Sequence, residues 1–227
     1  MNYNLSMKKK KLFITIGAVI TGLVLAATIP LTVLGARTSG LNTKYEYLKT
    51  DAKYSNKVEI EGIELVKQDI SCGYATIEML STFYGNTVTE ENLDQKNNGK
   101  VSTSSSTGFY KEIKQSIPTK SFVKHSYLSN DKLLKEIHDS LSNNNPVALE
   151  WAAKLDNVWT LHFSLISALD IANDNITIYN PYGYIENINL KEFISRSTFN
   201  AYKNMPIFYH YAFAFGMFEK NTIIYAE

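Results

Sequence analysis

The chain contains a single cysteine, Cys72, and the residues around it predict a position suited to chemistry. After Cys72, apolar Ala75, Met79 and Phe83 recur at helical spacing, and Gly85 stands where a helix commonly ends. Cys72 is therefore predicted in the first helical turn, where unpaired N–H groups and the helix dipole favour a nucleophilic thiolate. A cysteine on an apolar helix face is more often a packing residue, so Cys72 alone leaves both interpretations open.

A nucleophilic cysteine needs a base, and His162 is the best candidate among the four histidines. It lies in the apolar predicted strand 160–169, where a buried imidazole is costly without a partner. Asn180 ends the next predicted strand, and a hairpin between the two strands places residues 162 and 180 close to opposite each other. Asn180 could then accept a hydrogen bond from one ring nitrogen and leave the other nitrogen facing Cys72. The simpler alternatives are a core histidine and a turn asparagine.

The elements that carry these residues predict an α+β domain, with helices mainly first and an antiparallel sheet mainly second. Besides the Cys72 helix, helical segments are predicted after the capping residues Thr89 and Ser129, around 109–117 and at 190–195. The aromatic segment 206–218 is predicted to be a pair of core strands. Other strands are predicted at 121–127, 146–152, 160–169, 175–180 and 221–226, and 58–66 is predicted to be a short strand or a hairpin.

The amino-terminal sequence is typical of a membrane anchor. Lysines occupy positions 8–11, and residues 12–36 carry no charge, which exceeds the about 20 residues that a spanning helix needs. We therefore predict a cytoplasmic basic segment at 1–11, one transmembrane helix at 12–36, a polar linker at 37–57 and a domain at 58–227. Lysines before the span favour a cytoplasmic amino terminus, so the domain is expected outside the cytoplasmic membrane of a bacterium. A cleaved signal, which would make the domain a secreted one, is the alternative.

Composition narrows the classes of function. The 227 residues carry a formal net charge of +1, which gives no reason to expect a nucleic-acid partner. One cysteine excludes an intrachain disulfide and any multi-cysteine metal site, and the histidines lack ligand spacing with acidic residues. Neither a metal nor a cofactor is predicted.

Three blocks of sequence carry a resemblance to a known family. They are Gln68 with Cys72-Gly73-Tyr74-Ala75, then Leu161-His162-Phe163-Ser164, then Tyr179-Asn180-Pro181-Tyr182-Gly183. In order and approximate spacing the chain resembles the C39 and C39-like cysteine peptidases of papain-like fold, from about Ile60 to the carboxyl terminus. The resemblance implies a two-lobe domain, with the cysteine helix in an amino-terminal helical lobe and the antiparallel sheet in the carboxyl-terminal one.

The resemblance also implies roles for four residues. Cys72 would be the nucleophile, His162 the general base and then acid, and Asn180 the residue that orients the imidazole. Gln68 would donate a side-chain N–H to the oxyanion hole beside the Cys72 backbone N–H. Two features depart from the family: Asp is more common than Asn at the third position, and Gln68 lies closer to the cysteine than usual.

The expected function is that of a membrane-anchored, extracytoplasmic cysteine peptidase acting on a peptide or protein substrate, with contact to the membrane through its amino-terminal helix. One alternative is an amidase or transpeptidase of cell-wall peptides, which would use the same triad. The other is a catalytically inactive papain-like module that binds a partner at the membrane surface. Trimming of leader peptides is not implied, since family members with that activity sit on a transporter whose motifs are not seen here.

Overall fold

The computed structural model describes residues 28–227, which form a mixed α+β structure with an antiparallel sheet. Residues 28–38 are helical, and Glu46–Thr50 forms a short 3-10 helix. The helices that follow are α1 (Cys72–Phe83), α2 (Glu90–Lys96), α3 (Ser106–Ser116), α4 (Asn130–Ser142), α5 (Leu190–Ser197) and α6 (Ile207–Ala214). The strands are β1 (Val58–Glu59), β2 (Phe122–His125), β3 (Val147–Leu155), β4 (Val158–Asp170), β5 (Asn175–Asn180), β6 (Tyr184–Ile188) and β7 (Thr222–Ala226).

One sheet joins the strands in the order β2-β7-β3-β4-β5-β6, and β1 pairs with β4. Every pairing is antiparallel, and the consecutive pairs β3–β4, β4–β5 and β5–β6 are hairpins joined by short turns. The β3–β4 hairpin turns at Asp156 and Asn157, both of which have positive φ. In this hairpin Trp151 lies directly opposite His162. The register of the β4–β5 hairpin shifts between Ile166 and Ala168.

The main core lies between the sheet and helices α1, α3, α4 and α5. Helix α1 is buried along most of its length, and α4 contributes an apolar stripe that ends in an exposed polar turn. A second, smaller cluster surrounds Phe213 of α6 and Phe199. The sequence predicts helices mainly in the first half of the chain and strands mainly in the second. This segregation is only partial, because β1 and β2 lie in the first half and α5 and α6 in the second.

Several sequence predictions match these elements closely. The helix starts at Cys72, Thr89 caps α2 with its side chain, and the strand at 175–180 has the predicted bounds. Ser129 stands at the N-cap of α4, but its hydroxyl donates to Asp131 and accepts no backbone N–H.

Two predictions about secondary structure were wrong. The segment 206–218 is not a strand pair, because α6 occupies its centre. Aromatic residues favour strands only where they pack on a pleated surface, and here Pro206 precedes a helical turn that buries Phe213. The predicted strand 58–66 is reduced to Val58–Glu59, and β6 was not predicted.

The segment predicted as a polar linker, 37–57, packs against the rest of the protein from residue 41 onward. Leu41 and Leu48 are buried, and the Thr43 hydroxyl donates to Asp131 at 2.6 Å. The backbone N–H of Asn130 donates to the Leu41 carbonyl at 2.8 Å. The sequence did not predict this packing, because isolated apolar residues among polar ones show no helical or strand period.

The predicted transmembrane helix, 12–36, lies mostly outside the described residues, as does the predicted cytoplasmic segment 1–11. Between residues 28 and 227, no helix combines the length and the apolar character that crossing a membrane requires.

Candidate active site

Cys72 is the first residue of α1, and local sequence explains why the helix begins there. The Ser71 hydroxyl accepts the Tyr74 backbone N–H at 3.1 Å, which caps the helix. Gly73 then allows close contact with the loop before α3, since a Cβ at this position would lie 2.3 Å from the Thr103 hydroxyl oxygen. Cys72 as a whole residue is half-buried and packs against the edge of the core, and its thiol is enclosed by protein atoms.

The segment that leads into Cys72 is held by Glu90, the first residue of α2. Its buried carboxylate accepts the backbone N–H groups of Asp69 at 2.7 Å, Ile70 at 3.4 Å and Ser71 at 3.0 Å. The Glu90 N–H in turn donates to Glu78 on α1 at 2.7 Å. Three successive amides pointing at one carboxylate fix the backbone path into the nucleophile's helix. Sequence reasoning missed Glu90, which had no feature beyond its place after a helix cap.

The sulfur of Cys72 faces β4 at the position of the predicted base. The backbone N–H of Phe163, the residue after His162, lies close enough to the sulfur to stabilise a thiolate. Burial raises the pKa of the Tyr182 phenol, and a negative charge on Cys72 would act in the same direction. Cys72 therefore meets the second half of the chain between His162 and the turn after β5.

His162 and Asn180 are in contact, as the predicted hairpin requires. Nε2 of His162 lies 2.8 Å from Oδ1 of Asn180, and the two residues are 2% and 0% exposed. The ring of Tyr182 stacks on the imidazole with centroids 4.0 Å apart, and its hydroxyl pairs with Thr160 at 2.7 Å. Tyr182 thus fixes the plane of the imidazole. The sequence did not predict this role, because Pro181 indicated only a turn here.

The electrostatics of the site differ from the sequence prediction. Burial raises the pKa of the Cys72 thiol to about 11, although the N–H groups of Phe163, Gly73 and Cys72 itself act in the opposite direction. Burial also lowers the pKa of His162 to about 3. The loss of water around Cys72 acts against the predicted thiolate and outweighs the helix terminus. No hydrogen bond joins the sulfur to the imidazole in the part of the chain described, a looseness common in unliganded sites.

Gln68 lies beside the same turn. Its backbone N–H donates to the Pro181 carbonyl at 2.7 Å, which ties the segment before α1 to the end of β5. Its side-chain Oε1 is buried without a hydrogen-bond partner among residues 28–227. The position next to Asn180–Tyr182 agrees with a place at the site, while its role as an oxyanion donor stays a prediction.

The other histidines occupy different environments. His125 contacts Glu136 at 2.6 Å, His138 is buried against the ring of Tyr54, and His210 is exposed on α6. In the described part of the chain, no group of three or more His, Cys, Asp or Glu side chains could hold a metal ion.

Comparison with known proteins shows the family of the chain. No curated protein matches the chain. The family model described as the Peptidase_C39 like family matches residues 50–207, a stretch that contains Gln68, Cys72, His162 and Asn180. Since this match covers well over half of the sequence, the chain belongs to the Peptidase_C39 like family.

Proposed function

We propose that the protein is a cysteine peptidase of papain-like, two-lobe fold that hydrolyses a peptide or amide bond through an acyl-enzyme. Cys72 is the nucleophile, His162 the general base and then acid, and Asn180 the residue that orients the imidazole. Gln68 assists as an oxyanion donor. The observation that carries this proposal is the 2.8 Å contact between His162 and Asn180, on a strand whose Phe163 backbone N–H faces the sulfur of Cys72, in a member of a peptidase family.

The chemistry starts from a neutral thiol and a neutral imidazole. His162 takes the thiol proton as the sulfur attacks the scissile carbonyl, so the charged pair exists only while the bond forms. The developing oxyanion would accept the Cys72 backbone N–H and an N–H of the Gln68 side chain. Collapse breaks the C–N bond, and the imidazolium gives its proton to the leaving amine. Water then attacks the thioester, with His162 again the base, and releases the acid product.

The proposal includes a location. Lysines at 8–11 followed by the uncharged residues 12–36 support a single-pass anchor in a bacterial cell membrane, with the catalytic domain on the outer side. On this basis the substrate would be a peptide or protein outside the cytoplasm. Membrane fractionation of the full chain, compared with a chain that begins at Leu41, tests the anchor: only the full chain should sediment with membranes.

One observation favours a second candidate, a peptide-binding module without catalysis. A thiol whose pKa is raised to about 11 is a poor nucleophile unless the imidazole can take its proton. If His162 cannot reach the sulfur after a peptide binds, the domain would bind peptides and leave them intact.

A peptide-library digest separates these candidates. The protein is incubated with the library, and both cleavage products and a thioester adduct on Cys72 are sought by mass spectrometry. We expect products from the wild type and a loss of about 100- to 10,000-fold in rate for His162→Ala. Cys72→Ser should form no thioester, and His210→Ala, an exposed histidine away from the site, is the matched control. Peptide binding without products from the wild type would support the silent module.

A further inference from the structure

We propose that Glu186 and Arg196 are positioning residues that fix the tautomer of His162 by acting through the side chain of Asn180. Both lie behind the triad, on β6 and α5, and neither was predicted from the sequence. The proposal rests on the proposed function for its catalytic consequence, while its structural claim concerns the proton on one imidazole.

The first step is the orientation of the Asn180 amide. Its Nδ2 donates to Oε1 of Glu186 at 2.6 Å, and a carboxylate can only accept. The amide oxygen must therefore point the other way. There Oδ1 accepts the backbone N–H of Tyr182 at 2.9 Å and lies 2.8 Å from Nε2 of His162. A donor on one side and an acceptor on the other leave the amide a single orientation.

The second step is the proton on the imidazole. An amide oxygen has no proton to give, so Nε2 of His162 must be the donor in the bond to Asn180. In a neutral ring the other nitrogen, Nδ1, then carries the lone pair. This is the nitrogen left to receive the thiol proton of Cys72. The opposite tautomer would present an N–H to the sulfur and could take no proton from it.

The third step is the charge on Glu186. Arg196 holds this carboxylate with two hydrogen bonds, at 2.5 and 3.1 Å, and the two side chains are 5% and 14% exposed. The Arg196 Nε–H donates to the Ala152 carbonyl at 2.8 Å, and its guanidinium lies 3.6 Å from the ring centre of Trp151. Trp151 lies opposite His162 in the β3–β4 pairing. The ion pair therefore packs against the same pair of strands that carries the general base. A bidentate, largely buried guanidinium is the partner that a carboxylate requires, and a carboxylate can only accept hydrogen bonds.

This arrangement explains why an asparagine can serve at position 180. An aspartate there would accept from Nε2 by itself, because it has no other hydrogen-bonding mode when ionised. An asparagine can present either end, so the selection must come from outside it. Glu186 and the backbone N–H of Tyr182 supply that selection together, and Glu186 is the partner that a side-chain substitution can change.

The decisive measurement is the tautomer of His162, read from the ¹⁵N chemical shifts of its ring by NMR. In the wild type we expect a single tautomer with the proton on Nε2. Glu186→Gln can offer Asn180 either an amide group or an oxygen, so we expect mixed tautomers and a kcat at least about tenfold lower with little change in KM, since the wrong tautomer cannot act as base. Glu192→Gln is the matched control: this carboxylate lies 3.6 Å from the same Arg196 Nη1 and is half exposed, yet has no contact with Asn180.

A swapped pair keeps the test valid if Glu186→Gln folds poorly. In N180D/E186Q the carboxylate moves to position 180, and the amide side chain now at position 186 can still bridge it to Arg196 with its N–H and oxygen. We expect the Nε2–H tautomer and most of kcat to return, which a merely structural role of the ion pair would not produce. A proton on Nδ1 in the wild type, or a swapped pair as impaired as the single variant, would overturn the proposal. Correct tautomers in a protein that cleaves no peptide would instead remove the proposed function and leave the positioning role intact.

Discussion

At the scale of single residues, the pKa of the Cys72 thiol reflects two opposing effects, nearby N–H groups and burial, and burial is the larger. The helix terminus and the Phe163 N–H both lower the pKa of the thiol, as the sequence predicts for a cysteine in a first helical turn. Burial raises the pKa by more, to about 11. The same loss of water keeps His162 neutral. Proton transfer must therefore accompany attack on the substrate, and the tautomer of His162 matters more than it would in a preformed ion pair.

This neutral pair predicts the pH dependence of alkylation at Cys72. Because a raised pKa keeps the thiol protonated until the pH approaches that value, the rate with iodoacetamide should keep rising through the alkaline range toward about 11. Cys72 is the single cysteine, so intact mass reports the reaction directly. The urea-unfolded chain is the control. Its alkylation rate should level off once the pH exceeds about 8.5, the pKa of a free cysteine. A plateau below neutral pH in the folded protein would mean that the charged pair exists before substrate binds.

At the scale of elements, the active site depends on how α2 supports the segment before α1. The carboxylate of Glu90 accepts hydrogen bonds from the backbone N–H groups of three consecutive residues, 69–71, and Glu90 is only 6% exposed. These three residues connect Gln68 to Cys72. Their backbone conformation therefore determines the positions of both the nucleophile and the predicted oxyanion donor. A short helix that contains no catalytic residue thus shapes the site.

Replacing Glu90 with Gln should disturb this segment. One carboxylate oxygen becomes an amide that faces backbone N–H donors, which leaves at least one buried donor unpaired and costs about 1–3 kcal/mol of the free energy of unfolding. We expect slower peptide cleavage as well, because the path into Cys72 is no longer fixed. Urea denaturation measures the first effect and product formation the second. Glu91→Gln, an exposed neighbour on the same helix, should change neither. Equal stability of the two variants would show that Glu90 does not hold the segment.

At the scale of the whole molecule, the domain extends further toward the amino terminus than its composition indicates. Leu48 is fully buried in the main core, and Leu41 is 4% exposed. Lys53 adds an ion pair with Asp139 of α4 at 2.7 Å, which is exposed and contributes little. The apolar contacts therefore account for most of the stabilisation, and residues 41–57 belong to the folded unit.

Truncation tests this boundary. A chain that begins at Leu41 should retain a cooperative thermal transition, whereas a chain that begins at Val58 should lose much of its stability, because the pocket for Leu48 would be empty. Within the full chain, Leu48→Ala should lower the free energy of unfolding by about 2–5 kcal/mol, the range for a buried leucine. Leu155→Ala, at a leucine 46% exposed, is the control and should cost far less. A stable chain beginning at Val58 would restore the linker interpretation.

The sequence was most informative where the signal was local. An apolar stripe and a terminal glycine predicted the helix that starts at Cys72, and two apolar strands with a short turn between them predicted the hairpin that joins His162 to Asn180. It was least informative for 206–218, where aromatic residues fit a strand as well as a helix. Packing of Phe213 against Phe199 chose the helix there, with ring centroids 4.8 Å apart.

The sequence by itself determined which residues are candidates for chemistry, because helix starts and hairpin registers depend on neighbours within a few residues. Only the tertiary structure decided the protonation of Cys72 and His162, since burial depends on atoms from the whole fold. It also decided the support of the site by Glu90, Glu186 and Arg196. Each of these is an ionisable side chain at a position where the sequence indicates only an ordinary surface residue, and a buried group of this kind is stable only when folding brings hydrogen-bond or ion-pair partners to it.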